Sequence, residues 1–239
     1  MSTKNTMVMI VIAVAMVTLV VLRQLSMAHG EGSGLFEVAD RPADCSGVIA
    51  LTFDDGPDAV LTPQFLDILD VYDVHATFFV VGSNIEGNEQ IIERMVAEGH
   101  SVQNHTWDHP YLTQLTSEEI ERQLEMTNEM IVGAGAPEPR FGRPPYGDYD
   151  ARVAGVFEAQ GLAVTTWTNV LDIRDWDGPA SPAQIVERVR IHLQDGGVVL
   201  LHDVQQTTLE ALPAIIDVVH QDGYCFAPFE GEPDWLLDA

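Results

Sequence analysis

The stretch Val48-Ile-Ala-Leu-Thr-Phe-Asp-Asp-Gly-Pro57 leads an apolar run into two adjacent acids and then into a Gly-Pro break. The apolar residues predict a buried strand, and the break predicts a turn directly after it. Asp54 and Asp55 would then share one small volume, where two like charges repel each other unless a cation is present. A solvated turn that carries both acids is the alternative. The other strand ends of the chain decide between the two.

The composition bounds the class of protein. The chain has 239 residues, of which 46% are hydrophobic, enough for one sizeable core. It holds 37 Asp and Glu against 11 Lys and Arg, for a formal net charge of −26. A surface of this sign disfavours nucleic acid, anionic lipid and other polyanions as partners.

An apolar segment lies close to the start of the chain. Residues 7–22 are 16 consecutive uncharged, mostly apolar residues, with Lys4 before them and Arg23 after them. A membrane span needs about 20 such residues, and the core of a signal peptide is usually shorter than this segment. Residues 1–28 therefore predict either a signal peptide or an uncleaved membrane anchor, and both place the remainder outside the cytoplasm. We expect a linker over 29–46, a folded domain over 47–230 and an acidic tail over 231–239.

Strand and helix patterns alternate about seven times after the linker. The predicted strands are residues 48–53, 76–81, 101–105, 140–143, 163–168, 198–201 and 224–227. The predicted helices are residues 62–71, 89–98, 116–132, 151–160, 181–194 and 209–221. This alternation, without internal repeats, predicts a parallel α/β domain, either a barrel or an open doubly wound sheet.

Two cysteines, Cys45 and Cys225, flank the first and the last predicted strand. An even pair in an oxidising compartment favours a disulfide, and two buried thiols are the alternative. The bridge would close a loop of roughly 180 residues, for which the chain-entropy model gives about 4–5 kcal/mol.

The segment His105-Thr-Trp-Asp-His109 ends the third predicted strand. Two histidines separated by three residues can reach one ion if the segment between them turns helically, whereas two solvated loop histidines are the alternative. With Asp55 they would make two imidazoles and one carboxylate with room for water. That ligand set is typical of a catalytic zinc site.

Three more strand ends carry polar residues. They are Arg143-Pro-Pro-Tyr-Gly147, Asp172-Ile-Arg-Asp-Trp176 and Leu200-Leu-His-Asp203. Each one alone admits a structural interpretation: a turn, an acidic loop or a histidine that packs. The carboxyl ends of parallel strands gather on one face, however, and active sites form there. Candidates from five strands at that one face therefore predict an active site.

In this order, the five motifs resemble those of the polysaccharide deacetylases, the NodB homology domain of carbohydrate esterase family 4. The resemblance spans residues 47–229 and implies that residues 47–230 are a catalytic domain. It also implies a distorted (β/α) barrel of about seven parallel strands, with the active site at the carboxyl ends of the strands.

The resemblance also implies roles. Asp55, His105 and His109 would hold a divalent metal, most often Zn²⁺, which polarises the acetyl carbonyl and activates water. Asp54 would be the general base, and Arg143 would be its charged partner. His202 would be the general acid, and Asp175 would orient it. The backbone N–H of Tyr146 would stabilise the oxyanion, and Trp176 and Leu200 would wall the pocket for the acetyl methyl group.

The implied activity is removal of N-acetyl groups from a GlcNAc-containing polysaccharide or oligosaccharide, with release of acetate. Chitin-like chains, peptidoglycan and another envelope glycan all remain open as substrates. An O-deacetylase such as an acetylxylan esterase is the alternative enzyme, and a non-catalytic sugar-binding module is the alternative class. We expect a monomer whose partners are the glycan and, if residues 1–28 stay uncleaved, the membrane.

Overall fold

The structure, a computed structural model, describes residues 45–178 and 180–229. The expected signal peptide or anchor (1–28), the linker up to residue 44 and the acidic tail (231–239) lie outside the described residues. In the part that the structure describes, no helix has both the length and the apolar character needed to cross a membrane.

One parallel sheet organises the described part of the chain. Its strands, β1 to β7, are Gly47–Asp54, Thr77–Val80, Ser101–Asn104, Phe141–Gly142, Ala163–Val164, Gly197–His202 and Tyr224–Phe226. The order across the sheet is β5-β4-β3-β2-β1-β6, and β7 pairs with the first residues of β1. Every pair is parallel, so all strands end at the same face.

Helices connect and cover these strands. In the described residues, α1 to α7 are Thr62–Tyr72, Gly82–Ile85, Glu89–Ala97, Ser117–Gly133, Ala151–Ala159, Pro182–Arg190 and Gln206–Gln221. Short 3₁₀ turns occupy Leu112–Gln114, Pro145–Gly147 and Asn169–Leu171. The four-residue helix α2 had no prediction from the sequence. The predicted helix over 181–194 was too long, since α6 ends at Arg190, and α7 begins three residues before its predicted start.

The alternation of side chains along β1 places the first acid inside the sheet. Ile49, Leu51 and Phe53 belong to the main apolar core between sheet and helices. Ala50 belongs to a separate cluster on the inner face. Because successive strand side chains point to opposite faces, Asp54 shares the inner face with Ala50. Both neighbours of β1, which are β2 and β6, continue up to Asp54, so this carboxylate lies at the centre of the strand-end face.

The sheet closes into a distorted barrel through the segment that follows β5. The Thr168 N–H donates to Val198 O at 3.1 Å, and Asp172 forms an isolated parallel bridge with Leu200. The prediction of a strand over 163–168 was therefore too long: the regular part ends at Val164, and the chain continues as irregular segment and 3₁₀ turn. The prediction of a parallel α/β barrel is confirmed.

A disulfide joins the residue range just before β1 to the last strand, β7. Cys45 precedes β1 and Cys225 lies in β7, and pairing of Gly47 with Tyr224 brings them together. Their Cα atoms are 5.7 Å apart and their sulfurs are bonded, within the usual Cα range for a bridge. The pair lies at the amino ends of the strands, opposite the face that carries Asp54.

Candidate metal and active centre

A pocket of about 550 Å³ opens at the carboxyl ends of the strands. Eight of the ten residues predicted for the metal, catalytic and oxyanion roles line it: Asp54, Asp55, His105, His109, Tyr146, Trp176, Leu200 and His202. The other two, Arg143 and Asp175, lie behind this wall and contact Asp54 and His202. The structure thus brings the predicted residues from five strand ends into one place.

Three of these residues form a group with metal-ligand geometry. The ligand atoms of Asp55, His105 and His109 all lie within 4.8 Å of one another. Asp55 Oδ1 is 3.5 Å from Nε2 of His105 and 3.2 Å from Nε2 of His109. This oxygen is buried, yet it receives no hydrogen bond from the described residues. A buried carboxylate oxygen that faces two imidazole nitrogens fits a divalent cation.

Hydrogen bonding fixes the orientation of His105. Its Nδ1 lies 2.7 Å from the backbone oxygen of Arg143, which can only accept, so Nδ1 carries the proton. This contact leaves Nε2 facing Asp55, as the nitrogen that would bind a metal ion. Burial and the neighbouring His105 lower the pKa of His109, which keeps its ring neutral as a ligand must be.

The segment between the two histidines is not the helical turn expected from sequence as the condition for both rings to reach one ion. Thr106 and His109 have φ values of 67° and 61°, in the left-handed region. Gln123 accepts hydrogen bonds from the N–H groups of Trp107 and Asp108, at 2.8 and 3.2 Å. A turn held by this side chain therefore brings both rings toward Asp55.

Electrostatics keep Asp55 charged. Burial favours its neutral form, but the adjacent His105 and the charges of His202 and His109 as they become protonated lower its pKa to about 2. The backbone of Asp55 lies in the left-handed region, with a φ of 75°. The side-chain amide of Asn84 supports this conformation by donating a hydrogen bond to the Asp55 backbone carbonyl at 2.9 Å. Asn84 lies on the unpredicted helix α2, so sequence reasoning missed it.

Asp54 has a different partner. Arg143 Nη1 donates to Asp54 Oδ1 at 2.7 Å and to Thr52 Oγ1 at 2.8 Å. The guanidinium is fully buried and lies over the ring of Phe79, 3.9 Å from its centroid. The other oxygen, Asp54 Oδ2, is 3.6 Å from His105 Nε2. One oxygen of Asp54 is thus held by a buried cation while the other faces the candidate metal site.

His202 faces the pocket from the opposite side. Its Nδ1 lies 2.7 Å from Asp175 Oδ1, and its backbone N–H donates to Asp175 Oδ2 at 2.8 Å. Thr208, which sequence reasoning missed, donates its hydroxyl to the same Oδ2 at 2.6 Å. Burial opposes protonation of His202, but the hydrogen bond and charge of Asp175, with the charges of Asp54 and Asp55, raise its pKa to about 9. This imidazole is therefore held as a cation at neutral pH.

A further buried acid follows His202. Asp203 is fully buried and accepts a hydrogen bond from the hydroxyl of Thr62, and burial raises its pKa to about 7. A Cβ at Gly56 would collide with this carboxyl group, so the turn after Asp55 requires glycine there. Asp203 thereby packs the Asp-Asp-Gly turn against the end of β6.

The remaining pocket wall is aromatic and apolar. Tyr146 and Trp176 are both 54% exposed, and Leu200 lines the same pocket. Trp167 also lines the pocket and was not predicted from the sequence. Its ring packs beside Gly147, where an added Cβ would lie 3.0 Å from it. Trp167 falls in the predicted strand over 163–168, and the strand pattern alone does not indicate that this side chain lines the pocket.

Comparison with known proteins agrees with this geometry. A family model described as polysaccharide deacetylase matches residues 42–165. Peptidoglycan-N-acetylglucosamine deacetylase PgdA of Listeria monocytogenes is 36% identical over 182 residues, which are 76% of this chain and 38% of that protein. This chain thus spans well under half the length of that relative. Chitooligosaccharide deacetylase of Rhizobium leguminosarum bv. trifolii is 39% identical over 190 residues, which are 74% of this chain and 87% of that protein.

A solved structure shares the fold. A family 4 carbohydrate esterase from Streptomyces lividans, in complex with acetate, matches with a TM-score of 0.74 at 33% identity. The match covers 80% of this chain and 100% of that chain. By its motifs, its barrel and these relatives, the chain belongs to the polysaccharide deacetylase family.

Proposed function

We propose that this protein is a metal-dependent hydrolase that removes N-acetyl groups from a glycan of N-acetylhexosamine units and releases acetate. One observation carries the proposal. A single pocket contains a carboxylate held by a buried arginine, a group with metal-ligand geometry and a histidine whose pKa is raised to about 9. Those are the base, the metal ligands and the acid that amide hydrolysis requires.

Asp55, His105 and His109 would hold the metal. Two imidazoles and one carboxylate leave coordination positions open, as in catalytic zinc sites, and Zn²⁺ is therefore the ion we propose. When bound there, the ion would polarise the acetamide carbonyl and lower the pKa of a water molecule.

Asp54 is the proposed general base. Arg143 holds its Oδ1 at 2.7 Å, which keeps the carboxylate charged and oriented, and Oδ2 is left to accept the proton of the attacking water. As the water oxygen adds to the carbonyl carbon, negative charge develops on the carbonyl oxygen. The backbone N–H of Tyr146 is the proposed donor to that oxygen.

His202 is the proposed general acid. Because Asp175 accepts from Nδ1, the proton on Nε2 faces the pocket. Nε2 itself lies 4.0 Å from Asp55 Oδ2. Transfer of this proton to the amide nitrogen lets the carbon–nitrogen bond break, so the sugar amine leaves and acetate remains. Trp176 and Leu200 would enclose the acetyl methyl group during this step.

The relatives support a substrate class, and the disulfide supports a location. The relatives named above act, by their names, on peptidoglycan N-acetylglucosamine and on chitooligosaccharide. We propose an N-acetylglucosamine-containing envelope glycan for this chain, met outside the cytoplasm. The Cys45–Cys225 disulfide supports that location, since such bonds persist in oxidising compartments.

Acetate release by the purified full chain tests the proposal. Chitotetraose, peptidoglycan and acetylxylan would each be offered with added zinc and with chelator. We expect zinc-dependent release from at least one N-acetylated glycan, and no release by the Asp54→Asn variant. Release from acetylxylan alone would favour an ester substrate, and no zinc-dependent release from any of the three would contradict the proposal.

A further inference from the structure

Two loops at the pocket mouth are fastened together by aromatic rings. The β3 loop (residues 105–116) follows β3, and the β4 loop (residues 143–150) follows β4. Tyr111 of the β3 loop stacks on Tyr146 of the β4 loop, with 4.0 Å between ring centroids and 15° between ring planes. The ring of His109, also from the β3 loop, meets Tyr146 edge to face at 4.5 Å. The Tyr146 side chain is therefore held by two rings from the neighbouring loop.

Hydrogen bonds reinforce the same connection. Thr113 of the β3 loop donates from its backbone N–H to Asp148 at 3.0 Å and from its hydroxyl at 2.7 Å. Arg152, at the start of α5, donates to the Thr113 carbonyl at 3.3 Å. The stacked tyrosines and the Thr113–Asp148 pair lie on exposed loops, so they contribute to loop position without forming part of the core.

The backbone of Tyr146 needs such support. Its φ of 61° and ψ of 5° lie in the left-handed region, which costs free energy for a residue with a side chain. Its N–H donates no hydrogen bond to any described residue. The two preceding residues, Pro144 and Pro145, have no N–H to offer. Among residues 144–146, only Tyr146 therefore has a backbone N–H to offer, and the rings that hold its side chain limit how this backbone can rotate.

We propose that Tyr111 is a positioning residue: by stacking on Tyr146 it fixes the direction of the Tyr146 backbone N–H toward the reacting carbonyl oxygen. This inference rests on the proposed function, because the oxyanion is the group that the N–H would meet. It differs from a sugar-binding role, in which the exposed Tyr111 ring would itself contact the glycan.

The Tyr111→Ala variant tests the proposal through kcat. Loss of a whole oxyanion donor costs about 10²–10³ in kcat, so misdirecting it should lower kcat about tenfold or more. KM, bound zinc and the melting temperature should stay at wild-type values. Tyr111→Phe keeps the stacked ring and should restore kcat. Tyr149→Ala is the matched control, since Tyr149 is an exposed tyrosine of the β4 loop at 45% exposure.

A double-mutant cycle shows whether Tyr111 acts through Tyr146. In the Tyr146→Ala background there is no ring to hold, so adding Tyr111→Ala should leave kcat unchanged. An equal loss of kcat in both backgrounds would overturn the proposal.

Substrate length separates positioning from sugar contact. The kcat loss of Tyr111→Ala should be the same for diacetylchitobiose and chitotetraose. A rise in KM confined to chitotetraose would overturn the positioning role and assign Tyr111 to glycan binding. Wild-type activity with an unaffected Tyr111→Ala variant would overturn this inference alone, whereas no acetate release by the wild type would overturn the proposed function and this inference with it.

Discussion

Asp54 and Arg143, 89 residues apart in the chain, form a hydrogen-bonded ion pair with 2.7 Å between Oδ1 and Nη1, and both side chains are buried. Removing one member of a buried ion pair usually costs about 3–5 kcal/mol, because the remaining charge stays unpaired. Asp54 is therefore paired with Arg143, whereas Asp55 belongs to the metal-ligand group. Variants at the two acids should behave differently.

Asp54→Asn should abolish turnover while the metal stays bound. The amide keeps the size of the side chain but cannot take a proton from water, and general-base catalysis is worth about 10²–10⁴ in rate. Acetate release measures the loss, and elemental analysis measures the metal. A rate equal to that of the wild type would remove Asp54 from the role of base.

His105→Ala should lose the bound metal, because Nε2 of this histidine faces Asp55 Oδ1 at 3.5 Å. We expect zinc content well below one ion per chain after dialysis, with far-ultraviolet circular dichroism unchanged. His75→Ala, a substitution at an exposed histidine outside the pocket, serves as the control. Full zinc occupancy in His105→Ala would show that the ligand assignment is wrong.

The pH dependence should report His202. A general acid must be protonated, so activity should fall as pH rises through its pKa of about 9. Asp175→Asn removes the hydrogen-bonded charge that contributes most to raising this pKa, while Asp54 and Asp55 remain. The falling limb should then move from about 9 toward 6.5, the ordinary value for histidine, because burial opposes protonation.

Rates over pH 6 to 10 for the wild type and Asp175→Asn check this shift. Asp177→Asn provides a matched control on the same loop, since Asp177 is exposed and should leave the limb in place. An alkaline limb that stays at the same pH in Asp175→Asn would exclude His202 as the titrating acid.

Replacing both Cys45 and Cys225 by serine should destabilise the domain without changing its chemistry. The two cysteines are 180 residues apart in sequence, and loss of a native disulfide typically costs about 2–5 kcal/mol. Urea unfolding measures the difference, and kcat below the unfolding range should equal that of the wild type. Equal free energies of unfolding would show that the bridge contributes nothing to stability.

The strand ends were predictable from sequence because each carries a local pattern. Asp54 and His202 end apolar runs, His105 ends the predicted strand over 101–105, and parallel strands bring such ends together. The predicted start of the helix at residue 116 has a local cause of the same kind: Thr116 and Glu119, three residues apart, form a capping box where α4 begins.

Contacts that depend on the path of irregular segments were not predictable. Thr208 reaches Asp175 from α7, and Tyr111 reaches Tyr146 across two loops. No periodicity links these pairs, because their distances are set by the tertiary fold. The non-helical turn between His105 and His109 was not predictable either, because Gln123, a residue of α4, holds that turn from outside.

The parallel pairing of β1 with β7 also places Cys45 and the pocket at opposite ends of the strands. The chain enters β1 beside Cys45, at the amino ends of the strands, while the pocket opens at their carboxyl ends. Any tether carried by the residues before Cys45 is therefore attached on the side away from the pocket.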